Sequence, residues 1–286
     1  MPDGSEGPAL PGLSAGVWGP CEDPTALEPW RRRTGAGPHG WWRRLGYEVR
    51  SGAANMALDA ATLAAVEAGE APPTLRLYGF APPALSLGHG QSEAEIDREA
   101  CRRLGIDVVR RPTGGRAVLH EAEVTYALVV PAADPRFPPT VPGTYQIVAE
   151  ALRDAFVALG AGDVAFGPRR ASAAADPACF AAASRGEILI AGRKVAGSAQ
   201  RRTRRAFLQH GSILLDPDPG RLAACLEGAD PAALGAAMIG LREALGGRAV
   251  GPEEVAGAIE AALGARLAVR LVPGPLTARE AAALAA

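Results

Sequence analysis

One amine stands among 29 guanidinium groups: of the 30 basic side chains in the sequence, only Lys194, in G-R-K-V-A-G-S-A-Q, is a lysine. The two cations are not interchangeable at a reacting centre. An ammonium is a compact charge on a flexible stem that can lose its proton, whereas a guanidinium stays charged and acts as a rigid fork. Four cysteines could supply a nucleophile. Cys101 falls at helical spacing from Ile96, Ala100 and Leu104, and Cys225 from Leu222, so both read as core; Cys21 lies in a Gly/Pro-rich stretch with no scaffold. Cys179 remains, in the small-residue segment D-P-A-C-F-A-A-A-S-R. By type alone it reads as readily as a small buried hydrophobe. An ammonium beside it would favour the thiolate and could hold the oxyanion formed when a thiolate attacks a carbonyl.

A second element is R-R-P-T-G-G-R-A-V-L-H, residues 110–120. Gly114-Gly115 permits positive φ and lets backbone N–H groups approach a carbonyl or phosphate, although a tight hairpin turn explains the pair equally well. It matches neither a Walker loop nor a dinucleotide fingerprint. His120 and His210 are further titratable groups on predicted strands. R-R-T-R-R, residues 201–205, makes a basic turn that is either a solvated hairpin tip or a docking face for an acidic protein.

The elements that must position these residues follow from periodicity. A helix starts after Ser51 with Met56, Ala60, Leu63 and Val66 on one face, and another over 143–159 aligns Tyr145, Val148, Leu152, Phe156 and Leu159. A third is expected over 94–104. Strands are expected at 74–78, 84–87, 106–111, 117–120 and 124–130, then at 187–190, 194–200 and 207–215 as an antiparallel meander. On the last-but-one strand, simple alternation puts Lys194 on one face with Ala196, Ser198 and Gln200. From residue 219 the pattern is helical. The fold class is α+β, a mixed or antiparallel sheet flanked by helices. Residues 1–43, rich in Gly, Pro and Arg, read as a disordered extension, and 44–286 as one catalytic domain. A net charge of -1 and the lack of a long apolar run or leader pattern exclude an obvious nucleic-acid or membrane protein and point to the cytoplasm. Cysteine spacing supports neither a disulfide framework nor a metal site.

Taken in order, R-R-P-T-G-G-R-A-V-L-H-E-A-E-V-T-Y-A, A-C-F-A-A-A-S-R-G-E, G-R-K-V-A-G-S-A-Q-R-R and L-Q-H-G-S-I-L-L resemble the biotin/lipoate protein ligase superfamily, and within it the LipM-type octanoyltransferases. The resemblance implies transfer of an octanoyl group from octanoyl-acyl carrier protein to a lysine of a lipoyl carrier domain, either the glycine cleavage H protein or a dehydrogenase E2 subunit. It implies Cys179 as the acyl-carrying nucleophile, Lys194 as the residue that tunes it, and substrate binding by Arg111, Gly114, Gly115, Arg116, Ala117, His120, Gly197 and Ser198. No cofactor is needed and the chain is expected to be a monomer. The acceptor amine needs a base, for which Lys194 ranks ahead of His120 and His210. Two rivals share the superfamily: an amidotransferase acting between lipoyl domains and an ATP-dependent lipoate ligase, which needs no cysteine. A non-catalytic carrier-binding protein is a third.

Overall fold

The computed structural model describes residues 40–167 and 187–285. The first strand, β1 (Gly40–Arg50), begins inside the stretch read as an extension, because Trp42 and Arg43 are buried rather than solvated. Ser51 ends it and caps α1 (Gly52–Glu67), its hydroxyl accepting from the Ala54 N–H. Then come β2 (Thr74–Phe80), β3 (Ala84–Leu87), a single 3₁₀ turn (Glu93–Glu95) and α2 (Arg98–Arg103). The helix expected over 94–104 is thus broken. Ile96 is extended, and the Asp97 carboxylate caps the Ala100 N–H and restarts the helix there.

The chain continues through β4 (Asp107–Arg110), β5 (Val118–His120), β6 (Glu123–Pro131), α3 (Val141–Ala158) and β7 (Val164–Phe166). After residue 187 come β8 (Ile188–Ile190), β9 (Arg193–Arg202) and β10 (Ala206–Leu214), the expected antiparallel meander. Short helices α4 (Pro219–Ala224), α5 (Pro231–Ala237) and α6 (Leu241–Ala244) precede α7 (Pro252–Leu267), β11 (Val269–Pro273) and α8 (Ala278–Ala285).

Among the described residues, eight strands form one mixed sheet in the order β11-β1-β2-β6-β10-β9-β8-β7, with β1 parallel to both its neighbours and the other pairs antiparallel. Helices α3 and α7 cover one face, where Val148, Leu152 and Phe156 of α3 and Val255 and Ile259 of α7 meet Leu75, Tyr126 and Phe207. Helix α1 covers part of the other, with Leu63 and Val66 on Tyr78, Ala127 and Leu208. A small second sheet, β4-β3-β5, packs with α2, α4 and α5 around Leu85, Cys101, Leu222, Cys225 and Leu234. Cys101 and Cys225 are therefore core, and burial pushes both thiols up, Cys225 to about 12. Among the described residues no helix is long and apolar enough to cross a membrane.

Candidate active site

A small, mostly apolar cavity opens where the small sheet leans on the α1 face of the large one. Met56 and Val118 give it apolar walls, the Gly115 turn borders its mouth, and Gly197, Ala199 and Ser212 form the strand floor. The Gly114-Gly115 turn is held from within the protein. Arg111, buried, donates to the carbonyls of Gly114 (2.8 Å) and Arg116 (2.7 Å) and to the Ser86 carbonyl (2.8 Å), tying the loop to β3. Gly115 takes φ +96, and a side chain at Gly88 would sit 1.9 Å from the Gly115 carbonyl oxygen, so the loop closes on backbone alone.

A polar network underlies this loop. Asp59 of α1 accepts from Arg76 (2.8 Å), from Tyr78 Oη (2.7 Å) and from His210 Nδ1 (2.9 Å), while His210 Nε2 lies 2.6 Å from Thr113 Oγ1. Burial would raise the Asp59 carboxyl, but the His210 hydrogen bond and the Arg76 charge outweigh it and hold the group below the usual carboxylate range. Burial, and the Asp59 charge after it, push Tyr78 well above an ordinary phenol. His210 is thus committed at both ring nitrogens.

Lys194 sits where alternation alone would not put it. β8 pairs Ile188 with Ala196 but Leu189 with Lys194, so one extra residue of β9 is accommodated at that step. Val195 and Ala196 both join the core under α3, together with Ile188 and Ile190. Beyond the bulge the alternation resumes with Lys194 opposite that core, on the face of Gly197 and Ala199 rather than with Ala196, Ser198 and Gln200. Its side chain is 1% exposed, and Nζ donates to Glu187 Oε1 at 2.5 Å. The carboxylate meets the requirement that a buried ammonium be paired.

Of the expected site residues, Arg111, Gly115, His120, Gly197 and Ser198 border the cavity. Ser198 does so while its hydroxyl bonds Tyr126 Oη (2.7 Å) on the opposite face. Four others do not line it. Lys194 is buried against Glu187, Gly114 contributes its carbonyl to Arg111, Arg116 is half-exposed and paired with Glu95, and Ala117 packs inside the small sheet's core. Cys179 lies outside the described residues. Glu187, Ser86, Asp59 and Glu123 gained no role from the sequence. For Glu187 a signal was there: a buried lone lysine demands an anion, and a carboxylate stands one hairpin away. Among the described residues no three His, Cys, Asp or Glu side chains gather as metal ligands.

The lipoyl protein ligase A/B catalytic domain model matches residues 51–264. Octanoyltransferase LipM of Kyrpidia tusciae is 42% identical over 253 residues, covering 84% of this chain and 92% of its own, and that of Symbiobacterium thermophilum is 42% identical over 252 residues, covering 84% and 91%. Among solved structures, lipoate-protein ligase A bound with ATP superposes with a TM-score of 0.72 at 21% identity, covering 86% of this chain and 93% of that one. A putative lipoate protein ligase from T. acidophilum with bound lipoic acid gives 0.70 at 21% identity, covering 86% and 93%. At that identity the structures share the fold, while the relatives above place the sequence. The chain belongs to the lipoyl protein ligase A/B catalytic-domain family, among its LipM-type octanoyltransferases, a group of acyltransferases.

Proposed function

We propose that the protein moves an octanoyl group from octanoyl-acyl carrier protein, through a thioester on Cys179, to the ε-amine of a lysine on a lipoyl carrier domain. The acceptor is the glycine cleavage H protein or a dehydrogenase E2 subunit. The observation that carries this reading is likeness to two octanoyltransferases LipM over nine tenths of their length, 92% of the Kyrpidia tusciae chain and 91% of the Symbiobacterium thermophilum chain. The cavity supports it in kind, its walls including the apolar side chains of Met56 and Val118. Burying seven methylene-sized groups is worth about 6 kcal/mol at roughly 0.8 kcal/mol each.

In the first step the Cys179 thiolate attacks the carrier thioester, the C–S bond to the carrier breaks and its thiolate leaves. This exchange of like for like is nearly balanced in energy. In the second, the acceptor amine attacks the enzyme thioester, an amide forms and Cys179 is released; no ATP enters either step. The Lys194 ammonium, fixed by Glu187, supplies positive charge for the thiolate and for the oxyanion. Gly115 and Gly197 border the acyl site, Arg111 holds its mouth, and the exposed Arg201, Arg204 and Arg205 offer a basic rim to acidic carriers.

The test is incubation with octanoyl-acyl carrier protein in the absence of ATP, followed by mass spectrometry. An octanoyl adduct on Cys179 that is absent from Cys179→Ser and discharged by a lipoyl domain is expected. An adduct that forms only from octanoic acid with ATP overturns the reading in favour of a ligase, and octanoyl withdrawn from one lipoyl domain but never from acyl carrier protein overturns it in favour of an amidotransferase.

A further inference from the structure

Amide formation needs a base, and the small sheet holds one that the reading above does not use. Ser86 of β3 and His120 of β5 both border the cavity, with Ser86 Oγ 2.8 Å from His120 Nε2. Ser86 Oγ also accepts from Arg111 Nη1 at 3.2 Å. The Glu123 carboxylate, 3.4 Å from Nδ1, can only accept, which puts the neutral ring's proton on Nδ1 and makes Nε2 the acceptor of the Ser86 hydroxyl.

Nδ1 lies 3.4 Å from Glu123 Oε1 and, among the described residues, makes no hydrogen bond, although it is buried. Glu123 is itself fixed by the hydroxyls of Thr125 (2.7 Å) and Ser212. The imidazole is stacked on Phe80 with centroids 4.1 Å apart, so its plane is set. Hydroxyl, imidazole and carboxylate therefore stand in series at the cavity wall, with Nδ1 3.4 Å from an anchored anion. A proton gained at Nε2 makes an imidazolium whose charge faces that anion.

The geometry points to Ser86, His120 and Glu123 as the proton relay that frees the acceptor amine, an inference that rests on the amide-forming reading. The acceptor ammonium gives a proton to Ser86 Oγ as the Ser86 hydrogen passes to His120 Nε2, leaving the nitrogen with a free electron pair. The C–N bond forms, the C–S bond to Cys179 breaks, the second proton of the nitrogen goes to the sulfur, and water recovers the first from the imidazolium. Two alternatives lack this access. Lys194, paired with Glu187, does not line the cavity, and Thr113, the hydroxyl on His210 Nε2, does not line it either, whereas Ser86 does.

The test separates the half-reactions in His120→Gln and, should that variant not fold, in Ser86→Ala and Glu123→Gln. Transfer to a lipoyl domain should slow on the order of 100-fold or more relative to whatever change the same variant shows in acylation of Cys179 by octanoyl-acyl carrier protein. Hydroxylamine, already an uncharged nucleophile at neutral pH, should discharge the acyl-enzyme of variant and wild type equally fast. Equal slowing of acylation, lysine transfer and hydroxylamine discharge would make the triad a structural element and overturn the relay, as would lysine transfer at the wild-type rate. Failure of the wild type to acylate at all would instead strike the proposed function.

Discussion

At the scale of single residues, the buried pair Lys194–Glu187 makes a sharp statement about what substitution will do. Removing one partner of a buried ion pair strands the other, at a cost of about 3–5 kcal/mol. Glu187→Ala should therefore lower stability by about that amount, read as a shift in the urea midpoint at constant slope. Lys194→Arg keeps the charge but not the shape, and should fold less well and acylate Cys179 far more slowly. Asp59 offers a pH signature. Its folded carboxyl lies below the unfolded value of about 3.9, so the stability it contributes is complete above that pH and is lost as the pH falls further. Asp59→Asn should remove that contribution, flattening the acid limb of the stability curve below about pH 4 in urea titrations run at successive pH values.

The scale of elements decides which of these residues meet. Residue types and spacing raised Cys179, Lys194 and the Gly114-Gly115 turn only as candidates beside plain structural readings, whereas the meander of β8, β9 and β10 was legible from three short apolar runs between turns. What could not be read is the bulge in β9, because a period of two carries no mark for one inserted residue, and it reverses the side on which Lys194 lies. The long helix over 94–104 failed for a related reason: its apolar spacing is real, but Asp97 prefers to cap. β1 was missed because its partners, β2 and β11, come later in the chain and its buried arginine looks polar in sequence. The bulge predicts its own test. Inserting one residue between Lys194 and Val195 turns Lys194 towards the α3 core, and transfer should be abolished, whereas Val195→Ala, which keeps the register and leaves Lys194 opposite Leu189, should cost only about 1–3 kcal/mol of stability and retain activity.

At the scale of the whole molecule, the fold is clasped at its sheet edge. Arg43 of β1 is fully buried and donates to Glu280 of α8 through both terminal nitrogens, at 2.8 and 2.5 Å, as well as to Thr74 Oγ1 and the Pro275 carbonyl. Burial would raise the Glu280 carboxyl, and the Arg43 bonds bring it below its ordinary range. Glu280→Ala should accordingly destabilise the protein by about 3–5 kcal/mol in a two-state melt, although it touches no part of the cavity. The same edge brings the first strand and the last, β1 and β11, side by side in parallel. Their adjacency makes the order of the chain a matter of convenience more than of architecture. A flexible tether from residue 285 to residue 40, with a new opening in the exposed Gly246-Gly247 turn, would give a permuted polypeptide that keeps every strand neighbour it has now.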